Sequence, residues 1–185
     1  TSPEGAAILR RLAAKSDVLV ENFKFGGLAK YGLDYESLRS VNPKLVYCSI
    51  TGFGQDGPDA HRAGYDFMIQ GMGGLMSVTG EADGMPMKIG VALVDVLTGT
   101  NAATAILAAV MHAARTGTGQ HIDMSLFDVS VASQVNMKDV WCSRRRGAWR
   151  GCNKGNLRRR VEGWSFEEIA ICRFVWQGGY PPRHK

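Results

Sequence analysis

LVYCSIT, residues 45–51, is a short apolar run that follows the pair Asn42-Pro43 and passes directly into a loop rich in glycine and proline. A similar run, DVLVE, stands upstream at residues 17–21. Apolar runs of this length without polar alternation are typical of strands buried in a parallel sheet. Helical stretches lie between and around the two runs. The order of elements therefore predicts an α/β fold.

The segment upstream of the first run predicts a helix. Ser2 can accept a hydrogen bond from a free backbone N–H at a helix start, and Pro3 suits the first turn. Ile8, Leu9 and Leu12 then give the helix one apolar face. Together with the apolar run that follows, this segment predicts a helix-to-strand unit.

Further helices and one more strand are predicted downstream. Met68, Met72 and Met76 recur every four residues, which predicts one face of a helix that begins near Tyr65 and packs into the core. The other predicted elements are a short helix over 35–40, a long alanine-rich helix over 91–115, a strand over 121–125 and a helix over 127–135.

Length and composition favour one soluble domain. The chain has 185 residues, of which 45% are hydrophobic. We find neither an apolar run of about 18 residues nor a secretory signal, so we expect no membrane segment and a cytoplasmic location, or the mitochondrial matrix in a eukaryote. The four cysteines show no CxxC pairing and no histidine at ligand spacing, so no metal site is predicted.

The composition changes abruptly near Met137. Residues 1–136 carry ten Lys and Arg against 13 Asp and Glu, whereas residues 137–185 carry 12 against four, together with all four tryptophans. We predict two regions with these boundaries. A frame change in the source sequence is the favoured explanation of the second region. A genuine basic tail that binds RNA or DNA is the alternative, because Arg and Trp can contact phosphates and stack on bases.

Few side chains indicate chemistry by themselves. Asp95 stands in the first turns of a predicted helix, where a carboxylate either complements the helix dipole or serves as a nucleophile. Tyr65 and Asp66, at the start of another helix, are caps or site-lining residues. The glycines at 71, 73 and 74 lack the neighbours of a phosphate-binding loop, so helix packing and turns are the favoured roles. The four histidines stand in no triad or metal spacing.

A series of strings in residues 1–136 resembles the family III coenzyme A (CoA) transferases, the family of formyl-CoA transferase and carnitine CoA-transferase. The strings keep the family's order and spacing. They are Val20-Glu21-Asn22-Phe23, Gly27-Leu28, Tyr31-Gly32-Leu33, Asn42-Pro43, Ser49-Ile50-Thr51-Gly52-Phe53-Gly54-Gln55, Gly57-Pro58, Gly64-Tyr65-Asp66, Gly73-Gly74, Gly117 and Gly119-Gln120-His121-Ile122-Asp123.

The resemblance implies a set of site residues. Asp95, thirty residues after Tyr65, falls where the family has its acyl-accepting aspartate. CoA and acyl-CoA would be substrates, and no permanently bound cofactor is implied. The implied contacts are Asn22, Phe23, Lys24 and Lys30 at the nucleotide end of CoA, and Ala63, Gly64, Tyr65 and Asp66 at the thioester end. Lys30 replaces an arginine of the relatives, and Ala63 offers no polar side chain.

The resemblance also implies a fold and an activity. The fold is part of a doubly wound parallel sheet, the large domain of the family, and intact members form interlocked homodimers. The activity is transfer of CoA from an acyl-CoA donor to a carboxylic acid acceptor through an aspartyl covalent intermediate. The family's first strand would precede residue 1 and its second domain would follow residue 136, so we expect an inactive fragment of a longer reading frame.

Two alternatives remain. The first is an α-methylacyl-CoA racemase or epimerase of the same fold family, which would carry His where this chain has Tyr65. Tyrosine is a poor base near neutral pH, so CoA transfer is favoured. The second is a catalytically inactive module whose basic tail binds nucleic acid. The frame-change explanation makes a nucleic-acid partner the less favoured interpretation.

Overall fold

The computed structural model describes residues 2–81 and 84–134. The predicted tail, residues 137–185, lies outside the described residues. The helices are α1 (Pro3–Ala13), α2 (Tyr35–Arg39), α3 (Asp66–Met72), α4 (Leu93–Thr116) and α5 (Leu126–Ala132), and the strands are β1 (Val18–Glu21), β2 (Val46–Thr51) and β3 (His121–Ser125).

The three strands form one sheet in the order β1-β2-β3. β1 and β2 are parallel, with Val18 opposite Val46. On the other side of β2, the Tyr47 backbone N–H donates to the Gln120 carbonyl oxygen at 2.9 Å. Helices connect the strands, as parallel pairing requires. The predicted α/β fold with a parallel sheet is confirmed.

The start of α1 follows the sequence pattern, but its apolar face does not face the core. The Gly5 backbone N–H donates to Ser2 Oγ at 3.1 Å, so Ser2 caps the helix as predicted. Ile8, Leu9 and Leu12 are about half exposed, whereas the small residues of the helix, Ala6 and Ala13, are buried. The part of the chain that the structure describes therefore leaves the apolar face of α1 uncovered.

The first of two compact units contains residues 2–50 and 102–123. Its core includes Leu38, Leu45 and Tyr47, all nearly inaccessible to solvent. The Tyr35 ring stacks on the His121 ring with centroids 4.9 Å apart, and Ser49 Oγ lies 2.9 Å from His121 Nε2. His121 is thus fixed between an aromatic ring and a hydroxyl group.

The free cysteine of this core, Cys48, is poorly reactive. Cys48 is fully buried in β2, and it forms no disulfide. Burial, followed by the charges of Glu21 and Asp123, raises the pKa of the Cys48 thiol to about 11. The thiolate is the reactive form of cysteine, so Cys48 is suited to packing rather than to catalysis.

The second unit contains residues 51–101 and the described residues from 124 onward. Gly52 and Gly64 bring two loop backbones into direct contact, so that a Cβ added at either residue would overlap the main chain of the other. The Phe127 backbone N–H donates to the Gly52 carbonyl oxygen at 3.0 Å, and the Phe53 and Phe127 rings lie 5.9 Å apart. These contacts fix the loop that follows β2 within its own unit.

The prediction that three methionines share one face of a single helix is wrong, because the helix is shorter than predicted. α3 ends at Met72, and Met76 belongs to a separate 3-10 turn, Leu75–Val78, that follows Gly74 in a left-handed conformation. The three methionines are only partly buried. The fully buried side chains of α3 are those of Ile69 and Gln70, so the buried face of the helix includes a polar residue.

α4 is the longest described helix and begins two residues later than predicted. Of its alanines, Ala102, Ala105 and Ala109 are buried, whereas Ala108 is exposed. By length and composition α4 is long and apolar enough to cross a membrane, a test that core helices of soluble proteins also pass. That the protein has no membrane segment stays a prediction.

Candidate active site

The carboxylate of Asp66 caps the start of α4. Asp66 is the first residue of α3, and its Oδ2 accepts hydrogen bonds from the backbone N–H groups of Val94, at 2.7 Å, and Asp95, at 3.2 Å. The first N–H groups of a helix have no partner within the helix and attract negative charge. Asp66, 28 residues before Val94, therefore provides the capping hydrogen bond that the residue just before a helix usually provides.

Gln70 holds this carboxylate from the other side. Its Nε2 donates to Asp66 Oδ1 at 2.5 Å and to the Val91 carbonyl oxygen at 3.3 Å, and its Oε1 accepts from the Ile89 backbone N–H at 2.9 Å. Gln70 is completely buried. One amide group therefore connects α3, the carboxylate at the start of α4 and the segment that leads into α4.

Asp95 is more accessible to solvent than Asp66 is. It is exposed and stands in the first turn of α4. Among the described residues, none donates a hydrogen bond to its carboxylate. Desolvation raises the pKa of Asp95, and the negative charge of Asp66 raises it further. The structure thus brings two of the predicted site residues, Asp66 and Asp95, into direct contact.

The other residues predicted at the thioester end lie just before α3. Tyr65 is 61% exposed, immediately precedes α3 and makes no side-chain hydrogen bond to the helix. Ala63 is exposed, and Gly64 makes the backbone contact with Gly52. Asp66 does act as a cap, although of α4 and not of the helix it begins, and its role in lining the site stays a prediction. The CoA contacts of these residues stay predictions.

The residues predicted at the nucleotide end belong to the first unit. Asn22, Phe23 and Lys24 are exposed and follow β1 directly, and the Phe23 backbone N–H donates to Glu21 Oε2 at 2.7 Å. Lys30, also exposed, places its ammonium group 4.9 Å from the centre of the Tyr31 ring. Their role in CoA binding also stays a prediction.

Sequence reasoning missed Gln70 and Arg62. Arg62 Nη1 lies 2.9 Å from Asp59 Oδ1, and its guanidinium lies 5.0 Å from the centre of the Phe53 ring. For Gln70 a signal was present, because a glutamine four residues after Asp66 shares its helix face in an otherwise apolar stretch. Within residues 2–81 and 84–134, no group of three or more His, Cys, Asp or Glu side chains could hold a metal ion.

Comparisons with known proteins identify the family. The family model described as CoA-transferase family III matches residues 1–157. The chain is 63% identical over 135 residues to the succinate–glutarate CoA-transferase of Agrobacterium fabrum, covering 73% of this chain and 34% of the relative. It is 48% identical over 130 residues to the succinyl-CoA:glutarate CoA-transferase of Mus musculus, covering 70% of this chain and 30% of the relative.

A solved structure agrees with these matches. The crystal structure of a CAIB/BAIF family protein from Brucella suis superposes with a TM-score of 0.76 and 56% identity, covering 80% of this chain and 39% of that one. The chain spans about a third of the length of the curated relatives it matches. The boundary predicted at residue 136 stays a prediction. Because the family match includes most of the sequence and the fold agrees, the chain belongs to CoA-transferase family III.

Proposed function

We propose that the complete protein transfers CoA from an acyl-CoA thioester to a free carboxylic acid, with Asp95 as the nucleophile. The observation that carries the proposal is the contrast between two adjacent carboxylates. Asp66 is held by three hydrogen bonds, whereas Asp95 is exposed and accepts none from the described residues. A carboxylate with a raised pKa is also a stronger base, which favours attack on a carbonyl carbon.

The proposed reaction forms covalent intermediates on Asp95. A carboxylate oxygen of Asp95 attacks the thioester carbonyl, the C–S bond breaks, and a mixed anhydride and the CoA thiolate result. The thiolate then attacks the Asp95 carbonyl, which releases the donor acid and leaves an aspartyl-CoA thioester. The acceptor carboxylate attacks this thioester and expels the thiolate. The thiolate attacks the acceptor's carbonyl in the new anhydride, which forms the product and restores Asp95.

CoA would be bound as a substrate by exposed residues near both of its ends. The two lysines offer positive charge to phosphate groups, although lysine lacks the paired donors of arginine. The exposed ring of Phe23 offers an apolar face. The proposed contacts are Asn22, Phe23, Lys24 and Lys30 at the nucleotide end, and Ala63, Gly64, Tyr65 and Asp66 at the thioester end.

The names of two relatives support a substrate class. The proteins from Agrobacterium fabrum and Mus musculus are named for succinate or succinyl-CoA and for glutarate. Dicarboxylic acids are therefore the proposed donor and acceptor. We also propose a homodimer, supported by the exposed apolar side chains of α1, and a location in the cytoplasm, or in the mitochondrial matrix of a eukaryote.

The test uses a completed protein, in which residues 1–134 of this chain replace the matching segment of the Agrobacterium fabrum relative. Succinyl-CoA is added without acceptor, the mixture is quenched with hydroxylamine, and the modified carboxylate is located by peptide mass. We expect a hydroxamate on Asp95. The Asp95→Asn variant should lose transfer by orders of magnitude while it still binds CoA. A hydroxamate on Asp66, Asp123 or Asp128 would refute the assignment.

The racemase alternative is tested in the same protein. A racemase removes and returns the proton beside the thioester carbonyl, so it exchanges that proton with deuterium from solvent. Tyrosine is in general a poor base near neutral pH, so this step is not favoured at position 65. Exchange at the α-carbon without CoA transfer would replace the present proposal with the racemase.

A further inference from the structure

We propose that Gln70 is a positioning residue for Asp95, acting through Asp66 and the segment that leads into α4. The inference rests on the proposed function, because it assumes that Asp95 attacks the substrate. Gln70 makes no contact with the reacting atoms in this proposal. Its contribution is to hold the start of α4, and hence the nucleophile, in one geometry.

Every polar atom of the Gln70 side chain has a partner. The two N–H bonds of its amide point to Asp66 Oδ1 and to the Val91 carbonyl oxygen, and its carbonyl oxygen accepts from the Ile89 N–H. Two of these partners lie in the segment just before α4, and the third is the carboxylate that caps α4. A movement of that segment therefore cannot occur without breaking bonds to Gln70.

The chemistry of the three partners requires an amide. A side chain at position 70 must donate twice, to a carboxylate and a carbonyl, and accept once from an N–H group. Glutamine meets this demand and ionised glutamate cannot, because glutamate has only acceptors. The site is completely buried, where an unpaired polar group is costly and like charges repel strongly.

The location of Gln70 explains how a substitution of this residue would change the position of Asp95. Asp66 uses one oxygen for Gln70 and the other for the N–H groups of Val94 and Asp95. Without the amide, the carboxylate is free to rotate away from the helix start. Displacement of a reacting group by about 1 Å can reduce a rate on the order of 100-fold.

The experiment measures acylation of Asp95 in the completed protein by single-turnover hydroxylamine trapping with succinyl-CoA. Gln70→Leu and Gln70→Glu are compared with Gln134→Leu. Gln134 is the matched control because its Nε2 donates to the carbonyl oxygens of Gly73 and Ser130, and it makes no bond to Asp66. Dissociation constants for CoA and thermal unfolding are recorded for each variant.

We expect both Gln70 variants to acylate on the order of 100-fold more slowly at pH 8, with CoA affinity changed by less than about threefold. Gln70→Glu should recover as the pH falls towards 6, because a buried glutamic acid beside Asp66 becomes protonated and again donates a hydrogen bond. Asp66 is the charged group that bears on Asp95 in the described residues, and it is present in all the variants. Gln70→Leu should show no such recovery.

The outcomes separate the two proposals. If the unmodified completed protein forms no hydroxamate on Asp95, the proposed function fails. If it does, and both Gln70 variants acylate as fast as Gln134→Leu, the positioning role is wrong. It is also wrong if Gln70→Glu shows no recovery at lower pH, or if the loss of rate is matched by loss of CoA affinity. If Gln70→Leu fails to fold, the pH profile of Gln70→Glu still tests the positioning role of Gln70.

Discussion

At the scale of single residues, two neighbouring carboxylates have different surroundings and hence different uses. Asp66 has both oxygens engaged by backbone N–H groups and an amide. Asp95, in the first turn of α4, has its carboxylate exposed to solvent. A nucleophile needs a lone pair that substrate can reach, whereas an anchoring group needs fixed partners. This contrast supports our proposal that Asp95 attacks the substrate and that Asp66 holds the start of α4.

The charge of Asp66 should be visible in the pH dependence of the reaction. Asp66→Asn removes a negative charge that raises the pKa of Asp95, so Asp95 should remain ionised to lower pH. We expect the acidic limb of the acylation profile to move to lower pH. The maximum rate should fall, because asparagine offers one acceptor oxygen where aspartate offers two. Single-turnover rates between pH 4 and 8 test this, and a limb displaced to higher pH would contradict it.

His121 should make the fold sensitive to acid. Desolvation lowers the pKa of His121 below its usual 6.5, partly opposed by the charge of Glu36. The unfolded chain therefore takes up this proton first, so the free energy of unfolding should fall as the pH drops below about 6.5 and level off below the folded-state pKa. Denaturant titrations of the completed protein measure it. His121→Phe, which keeps a ring beside Tyr35 but cannot titrate, should lose this part of the pH dependence. An unchanged slope would show that another group is responsible.

At the scale of elements, the sequence predicted the helices and strands that depend on neighbouring residues, but not the contacts between residues far apart in the chain. The strands and α4 follow from apolar runs and helix periodicity, which act over a few residues. The end of α3 was missed because it depends on Gly74, whose left-handed backbone stops a pattern that the methionines would continue. The link between Asp66 and Asp95 joins residues 29 positions apart, and Gln70 reaches 19 and 21 positions along the chain. Spacing alone carries no information about such contacts.

The contact between two loops predicts a contrast between two glycines. Gly64→Ala should destabilise the completed protein by about 2 kcal/mol or more, because the added Cβ meets the main chain of Gly52, which cannot rotate away. Gly99→Ala is the control. Gly99 lies on the exposed side of α4 with nothing near its Cβ position, so alanine should stabilise the helix by about 0.5–1 kcal/mol. Denaturant unfolding of both variants measures the two changes in the free energy of unfolding. Equal effects of the two substitutions would mean that the loops separate easily.

At the scale of the whole molecule, the described residues leave much apolar surface open. Two helices each expose three large apolar side chains. They are Ile8, Leu9 and Leu12 in α1, and Val96, Leu107 and Met111 in α4. In addition, β1 pairs with β2 on one side and has no strand on its other side within the described range. Open strand edges and apolar faces are the usual starting points of association.

We therefore expect residues 1–134, produced alone, to self-associate and to lack CoA transfer. Light scattering and sedimentation should show mixed oligomers. Leu12→Glu should reduce the association, because a charge on the open face of α1 disfavours contact, whereas a substitution at exposed Lys15 should not. The completed protein, treated in parallel, is the reference. A monodisperse, cooperatively unfolding monomer of residues 1–134 that transfers CoA would contradict this expectation.

The cap that Asp66 places on α4 also provides a spectroscopic reporter. The amide protons of Val94 and Asp95 donate to a carboxylate, so their NMR resonances should lie downfield and exchange slowly with solvent. Both amides lie beside the proposed nucleophile, and neither would be altered covalently by acylation of the Asp95 side chain. Isotope-labelled protein would therefore allow the reaction to be followed from the backbone, without a chromophore on the substrate or an attached reporter group on the enzyme.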